Sequence, residues 1–170
     1  KIERDGRRVG YNTDVDGIRL SLDKLLGEET VGSALVLGTG GASQAVQDVL
    51  RERGIDYKVV SREKGKADLT YDDLTQEVMA AHRLIINASP VGMYPAVGIS
   101  PVDLTMFPCC EGVLDLIYNP RRTALLLQAE ERGIPCSDGL PMLVAQAKAA
   151  GEYFFEKQIP DSENERILSM

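Results

Sequence analysis

Histidine and cysteine are scarce in this sequence, which limits the kinds of site that it can hold. There are three cysteines, an adjacent pair at Cys109 and Cys110 and a single Cys136. They have neither the even number of a disulfide framework nor the spacing of metal ligands, so we expect no metal site and reduced thiols in a cytoplasmic setting. The only histidine, His82, precedes a predicted strand and lies far from the motifs described below. We therefore do not expect it to act as a general base.

Basic residues and long apolar runs are also scarce in this sequence. Lysine and arginine number 19 against 26 aspartates and glutamates, which gives a net charge of −7. This balance argues against nucleic-acid and membrane-surface partners, although a local basic patch can still bind a phosphate. No apolar run approaches the roughly 18 residues that cross a bilayer. Without repeats, long linkers or low-complexity tracts, the 170 residues form one ordinary globular domain.

Short apolar runs alternate with segments of helical periodicity along the whole chain. The runs are continuously apolar, which is typical of parallel strands buried on both faces. The alternation therefore predicts an α/β fold, a Rossmann-type doubly wound parallel sheet with helices on both faces. The predicted strands are 33–38, 57–62, 83–89, 111–118 and 134–139, and the predicted helices are 12–26, 43–54, 71–81, 121–133 and 140–158.

The two ends of the chain carry separate expectations. The first residues, KIERDGRRVGYNTD, have no initiating methionine and are typical of a hairpin that crosses between domains. We expect residues 1–10 to be a hinge and the chain to be a fragment of a longer protein, with residues 1–170 forming one nucleotide-binding domain. The polar tail over 160–170 is expected to fray.

A cluster of glycines follows the first predicted strand, in LVLGTGGASQAV. Gly38, Gly40 and Ser43 occupy the three positions of the dinucleotide fingerprint G-x-G-x-x-G, between a strand and a helix. Gly41 and Ala42 stand where that helix begins, so its free N–H groups and positive dipole end would face a pyrophosphate. The alternative is a tight turn without a ligand. The strand–turn–helix context favours a dinucleotide site.

The residues after the second predicted strand indicate which dinucleotide is bound. NAD sites place an acidic residue at this strand end to hold the ribose, whereas NADP sites place basic or neutral groups there. Here the strand ends in Ser61 and Arg62, and Lys66 follows shortly after. Glu63 would repel a phosphate if it faced inward, and a solvated loop is the alternative for Arg62 and Lys66. The pattern favours NADP, with the 2′-phosphate held by these hydroxyl and basic groups.

Six segments in this order resemble the cofactor domain of the shikimate dehydrogenase family, which includes quinate/shikimate relatives. They are GYNTDVDG (10–17), GTGGAS (38–43), SR (61–62), NASPVGM (87–93), DLIYNPRRTALL (115–126) and DGLPMLVAQA (138–147). The resemblance implies reversible reduction of 3-dehydroshikimate to shikimate by NADPH, a step of aromatic amino acid biosynthesis. It also implies an amino-terminal domain that supplies a Ser-x-Ser substrate motif and a catalytic lysine. Neither Lys1 nor Lys24 stands in that context, so we expect the fragment alone to bind cofactor without turning over substrate.

The same resemblance assigns substrate contacts. Asp14, in the G-x-N-T-D motif, would orient a substrate hydroxyl and share proton transfer with the lysine. The alternative for Asp14 is a helix N-cap. Tyr118 would lie near the substrate, and Gln146 would bond its hydroxyls unless it is only a surface position. Asp115 is expected to be structural.

Cofactor contacts are assigned in the same way. Leu116 would pack against the nicotinamide, and Gly139 would border the ring at a point where a Cβ would intrude. Met142 lies one helical turn before Gln146 and is expected on the cofactor side. Asn87 and Ser89 follow the third strand and either touch the cofactor or only fix the turn before the next proline.

Other functions stay open on the residues alone. Within the enzymes, these are a quinate-preferring relative and folds with a similar glycine turn, such as methylene-tetrahydrofolate dehydrogenase. Outside them, the chain could be a non-catalytic nucleotide-binding module that keeps the scaffold. An oligomer is possible.

Overall fold

Six strands form one parallel sheet in the order β3-β2-β1-β4-β5-β6. This architecture is seen in a computed structural model that describes residues 3, 5–27 and 31–170. The predicted doubly wound α/β fold is thereby confirmed, since the strand order reverses direction between β1 and β4. The strands are β1 (Ser33–Leu37), β2 (Asp56–Ser61), β3 (Leu69–Thr70), β4 (Leu84–Asn87), β5 (Gly112–Asp115) and β6 (Cys136–Ser137).

The central strands are buried on both faces, as their continuous apolar runs predict. Every residue of β4 and β5 is buried, and so are four of the five in β1. The register aligns their carboxyl ends, because Leu37 pairs with Asn87 and Asn87 pairs with Asp115. Two polar side chains therefore end neighbouring strands at the edge of the sheet where ligands bind in such folds.

Helices cover both faces of the sheet and enclose two apolar clusters. One cluster joins α1 and α2 to the sheet and includes Ile18, Leu22 and Val49. The other lies on the opposite face and includes Met79 of α3 and Leu125 of α4. The helices are α1 (Asp14–Leu26), α2 (Gly41–Glu52), α3 (Gln76–Ala81), α4 (Ala124–Glu131), α5 (Leu140–Phe155) and α6 (Ser162–Leu168).

The region between β2 and β4 differs from the prediction. The two-residue strand β3 was not predicted, because two residues carry no periodicity. The single helix expected over 71–81 is a 3₁₀ turn, Tyr71–Asp73, followed by the short α3. Thr75 divides them, since its hydroxyl oxygen accepts a hydrogen bond from the Val78 N–H at 3.3 Å and caps the second helix.

The tail predicted to fray over 160–170 instead forms α6, so that prediction is wrong. Its charged residues pair with the neighbouring helices. Lys148 of α5 lies 3.1 Å from Asp161, and Lys24 of α1 lies 2.5 Å from Glu165. The polar composition that predicts a frayed end also supplies these ion pairs, and only the fold shows their partners.

The predicted hinge over 1–10 is only partly visible. Lys1, Ile2 and Arg4 lie outside the described residues. Within the rest, backbone hydrogen bonds join Glu3 to Gly6 and Arg7 in a tight turn, and Tyr11 stacks on Tyr153 of α5 with ring centroids 4.1 Å apart. In the described part of the chain, no helix combines the length and apolar character that a bilayer crossing requires.

Candidate cofactor and substrate site

The glycine turn between β1 and α2 begins at Gly38, where the backbone itself requires glycine. Gly38 has φ +115°, and its N–H donates to the carbonyl oxygen of Val60 at 2.9 Å. A Cβ at this position would lie 2.7 Å from the carbonyl oxygen of Ala88. Gly38 is therefore needed for the turn to form between the ends of two neighbouring strands.

The next two glycines are not explained by packing within the protein. A Cβ on Gly40 or Gly41 would have no atom within 4 Å, and Gly40 has an ordinary extended backbone with φ −79°. Gly40 caps α2, and in the described residues no side chain caps this helix and no acidic residue lies in its first turn. The free N–H groups therefore face open space that an anion could fill.

The remaining fingerprint residues divide between this open space and the core. Gly41 is exposed and Ala42 is half-buried at the start of α2. Ser43 is wholly buried, and its hydroxyl oxygen accepts a hydrogen bond from the Gln47 amide at 3.3 Å. A serine thus fits the position where the fingerprint expects glycine or alanine, because its hydroxyl has a partner within the helix.

The end of β2 is followed by the basic residue Arg62. The buried Ser61 hydroxyl oxygen accepts a hydrogen bond from the Glu63 N–H at 3.0 Å, so it shapes the turn. Arg62 is exposed and forms no hydrogen bond or ion pair with any residue that the structure describes. Lys66 lies 2.7 Å from Glu63, and this hydrogen bond lowers the pKa of the Glu63 carboxyl.

The pairing of Lys66 with Glu63 alters what the sequence suggests for both residues. Glu63 is held by Lys66 and not aimed at a bound phosphate, while Lys66 would have to leave Glu63 to reach one. An exposed pair of this kind is weak, so a phosphate could displace it. Contact of Arg62 and Lys66 with a 2′-phosphate stays a prediction.

A buried polar network joins the ends of β4 and β5. The Asn87 amide nitrogen donates to Asp115 Oδ1 at 3.0 Å and to the Val91 carbonyl oxygen at 3.2 Å. Its amide oxygen accepts from the N–H and the hydroxyl of Ser89, at 3.1 and 2.7 Å. Asn87 is wholly buried and fully bonded, so it fixes the turn and cannot touch a cofactor in this conformation. Ser89 is half-buried and also serves the turn.

Asp115 is the charged member of this network. Its carboxylate also accepts hydrogen bonds from the Ile117 N–H at 3.1 Å and from the Thr123 hydroxyl at 2.7 Å. Burial raises the pKa of Asp115 to about 6, and the nearby Asp138 adds to the shift, while the three hydrogen bonds oppose it. Asp115 is structural as expected, but it is also a carboxyl group whose charge changes near neutral pH.

The raised pKa of Asp115 predicts a pH-dependent effect of Asp115→Asn on stability. Because the folded state binds this proton more tightly than the unfolded state, Asp115 favours folding most below pH 4 and progressively less as the pH rises to 6. Asparagine does not titrate. Between pH 4 and pH 8, the variant should therefore gain about 2 kcal/mol of unfolding free energy relative to the unaltered chain. Urea denaturation at both pH values measures this, and an equal difference at the two would contradict it.

Leu116 and Gly139 meet through their backbones at the carboxyl edge of β5. A Cβ on Gly139 would lie 2.1 Å from the Leu116 carbonyl oxygen, and the Gly139 N–H donates to the Ile117 carbonyl oxygen at 2.9 Å. A side chain here would thus collide with the protein's own backbone, whether or not a nicotinamide is bound. Tyr118 follows at the surface with half of its area exposed. Leu116 and Tyr118 as cofactor and substrate contacts stay predictions.

The substrate-binding candidates Asp14 and Gln146 are linked through Thr13. The Thr13 hydroxyl donates to the Gln146 amide oxygen at 3.4 Å, across 133 positions of sequence. Thr13 is the N-cap residue of α1 and Asp14 is the first residue of the helix, so the N-cap alternative for Asp14 is wrong. No described residue pairs with the Asp14 carboxylate. Its oxygens therefore remain available to a ligand.

Gly17 explains why these residues lie together. A Cβ on Gly17 would lie 2.5 Å from the carbonyl oxygen of Met142, so α1 and α5 approach closely where they cross. Sequence reasoning missed this contact, although a glycine inside a helical pattern signals close packing. Met142 is half-buried and packs against the core under α1, and its predicted contact with a cofactor stays a prediction.

The histidine and the cysteines are also reactive residues. The histidine lies away from this edge of the sheet, and the cysteines form no metal-binding cluster among the described residues. His82 is buried after α3 and before β4, with Nδ1 2.6 Å from the Val78 carbonyl oxygen. It stands at the amino end of its strand, opposite the glycine turn. All three cysteines are free. Among the residues described, no three histidine, cysteine, aspartate or glutamate side chains converge as metal ligands.

Comparison with known proteins gives three informative similarities, although no family model matches the chain. The shikimate dehydrogenase (NADP(+)) of Methanococcus aeolicus is 34% identical over 167 residues, which cover 89% of this chain and 59% of the relative. Shikimate 5-dehydrogenase from Thermus thermophilus, solved in complex with NADP(H) and shikimate, superposes with a TM-score of 0.80 at 33% identity, over 95% of this chain and 63% of that one. Quinate dehydrogenase from Corynebacterium glutamicum, solved in complex with NAD, gives a TM-score of 0.86 at 26% identity, over 99% and 66%.

These similarities agree with the six ordered motifs and with the strand order of the sheet. They extend over nearly all of this chain, whereas the chain spans less than two thirds of each relative. The resemblance stated from the motifs is confirmed: over nearly all of its length, the chain is similar to shikimate dehydrogenases.

Proposed function

We propose that this chain is the NADP-binding domain of a shikimate dehydrogenase that reversibly reduces 3-dehydroshikimate to shikimate. The observation that carries this proposal is the glycine turn, where the uncapped start of α2 and the open space at Gly40 and Gly41 lie beside β1. The strand order reverses at this point, which is where dinucleotides bind in such sheets. The similarity to a structure solved with NADP(H) and shikimate supports the same assignment.

The preference for NADP over NAD rests on Arg62. Arg62 follows the last residue of β2 and makes no hydrogen bond or ion pair with a described residue, and the adjacent Glu63 carboxylate is paired with Lys66. A guanidinium can bind a phosphate through two parallel hydrogen bonds, whereas a ribose hydroxyl offers no charge to pair with. A quinate dehydrogenase that uses NAD is the alternative, since a quinate dehydrogenase solved with NAD has the same fold.

On the substrate side, we propose roles for three side chains of this chain. NADPH supplies the hydride when bound. The Asp14 carboxylate accepts a hydrogen bond from a substrate hydroxyl and shares proton transfer with a lysine of the substrate domain. The Gln146 amide and the Tyr118 hydroxyl bond the remaining substrate oxygens. The resemblance implies that a further domain supplies that lysine, and this chain spans only 59% of the Methanococcus aeolicus relative, so we expect the 170 residues alone to bind cofactor without turnover.

Parallel calorimetric titrations with NADP⁺ and NAD⁺ test the cofactor assignment. We expect NADP⁺ to bind the chain more tightly than NAD⁺, and Arg62→Ala to weaken NADP⁺ about tenfold with little effect on NAD⁺. The reason is that a charge-assisted contact to the 2′-phosphate, worth about 1.5–3 kcal/mol, would be lost. Arg51→Ala is the matched control, because Arg51 is exposed near the far end of α2 and pairs with Asp48.

Two results would overturn the preference for NADP. The unaltered chain could bind both nucleotides with equal affinity. Alternatively, Arg62→Ala could bind NADP⁺ as tightly as the unaltered chain does. Failure of both nucleotides to bind would contradict the assignment of a dinucleotide site altogether. We also propose a cytoplasmic location, because all three cysteines are free. An oligomer is a further proposal.

A further inference from the structure

Asp115 lies at the carboxyl end of β5, in the half of the sheet over which the nicotinamide would bind. The glycine turn after β1 accounts for the pyrophosphate, and the end of β2 accounts for the 2′-phosphate. The other half of a dinucleotide must therefore cross the carboxyl ends of β4 and β5, on the far side of the point where the strand order reverses. Asp115 is the last residue of β5, and its register partner Asn87 is the last residue of β4.

The carboxylate of Asp115 is buried, and among the residues that the structure describes no lysine or arginine pairs with it. The groups that face it are the Asn87 amide from β4, the Thr123 hydroxyl at the start of α4, the Ile117 N–H and the Asp138 carboxylate before α5. Asp138 is the only charged group among them, and it is itself paired with Arg121 at 2.8 Å. A carboxylate in such a place costs stability, and a neutral amide could make most of the same hydrogen bonds.

We propose that the Asp115 carboxylate selectively stabilises the oxidised cofactor, whose nicotinamide ring carries a positive charge that the reduced ring lacks. This inference rests on the proposed function, because it requires a nicotinamide at this edge. The charge lies in the protein interior, where screening is weak, so it acts on the ring without touching it. Asp115 thus sets the balance between NADP⁺ and NADPH by electrostatics, while its hydrogen bonds hold the turn.

Titration of the chain with NADP⁺ and with NADPH at pH 8 distinguishes these two effects. We expect Asp115→Asn to weaken NADP⁺ about tenfold and to change NADPH by less than about twofold, since only the charged ring loses a partner. A purely structural role would weaken both nucleotides equally. Asp48→Asn is the matched control, because Asp48 is a half-buried residue of α2 that pairs with Arg51 and lies towards the opposite edge of the sheet.

A second measurement needs no variant. In the unaltered chain, the ratio of NADPH affinity to NADP⁺ affinity should rise about threefold or more between pH 8 and pH 5.5, as Asp115 takes up a proton. In Asp115→Asn, the ratio of NADPH affinity to NADP⁺ affinity should not change with pH. This comparison distinguishes titration of Asp115 from titration of the cofactor's own phosphate. Equal weakening of both nucleotides by the variant, or a ratio in the unaltered chain that does not change with pH, overturns the inference. Failure of the unaltered chain to bind either nucleotide overturns the proposed function itself.

Discussion

Replacing Gly139 by alanine is expected to lower the free energy of unfolding by about 4 kcal/mol, at the upper end of what single substitutions do. The added methyl group would lie 2.1 Å from the Leu116 carbonyl oxygen and 2.5 Å from its carbonyl carbon. Backbone atoms cannot move aside as a side chain can, so β5 and the start of α5 would have to separate. The hydrogen bond from the Gly139 N–H to Ile117 would be strained with them. Thermal unfolding should show a midpoint lower by about 10 °C.

Gly151→Ala in the same helix is the matched control. A Cβ there would contact only the end of the Ile159 side chain, at 3.4 Å, which is an ordinary distance. Alanine favours the helix over glycine, so this variant should be unchanged or more stable by up to about 1 kcal/mol. Gly139 itself has φ −79°, a conformation that alanine adopts freely. Equal stability of the two variants would show that the close approach at Leu116 is relaxed at little cost.

Alanine at Gly40 should mainly weaken cofactor binding, whereas alanine at Gly38 should mainly lower stability, although both glycines belong to one turn. Gly40→Ala is expected to weaken NADP⁺ binding by about 30- to 100-fold, through loss of charge-assisted hydrogen bonds from the start of α2 to the pyrophosphate. It should lower stability by at most about 1 kcal/mol, since the new Cβ meets no protein atom. Gly38→Ala should lower stability by about 3 kcal/mol, because of its φ of +115° and a contact of 2.7 Å with Ala88.

Calorimetry with NADP⁺ and urea denaturation of both variants measure the two effects separately. The comparison is decisive because the side chain added is the same in each case and the positions are two residues apart. If Gly40→Ala binds NADP⁺ as the unaltered chain does, the cofactor does not approach this backbone and the proposed site is wrong. If Gly38→Ala is as stable as the unaltered chain, the turn tolerates a left-handed alanine.

The fold was predictable from the sequence because its main signals are local. The buried strands β1, β4 and β5 read as apolar runs, and α1, α2 and α5 have clear periodicity and glycine boundaries. The differences arise where local signals are weak. Strand β3 has two residues, and its pairing with β2 is visible only in three dimensions. Helix α6 and its N-cap residue Asp161 form ion pairs with α1 and α5, which come from distant parts of the chain.

The sequence predicts where the candidate site lies, but it does not show which contacts within the protein require its residues. A strand end, a glycine turn and a basic residue can be recognised in order along the chain, as Gly40 and Arg62 show. The sequence does not show what a glycine side chain would collide with, so Gly139 was assigned to the nicotinamide when the Leu116 backbone already requires it. Similarly, the Asn87 amide is used up by Ser89 and Asp115, partners that only the aligned strand ends bring within reach.

The close crossing of α1 and α5 means that recognition of a substrate can be preorganised. Because Gly17 lies against the Met142 backbone and Thr13 is hydrogen-bonded to Gln146, the two helices are closely packed at this end. Asp14 and Gln146 are carried on these helices, so their spacing is set when the chain folds. The loss of entropy on aligning the carboxylate with the amide therefore occurs during folding and does not weaken ligand binding.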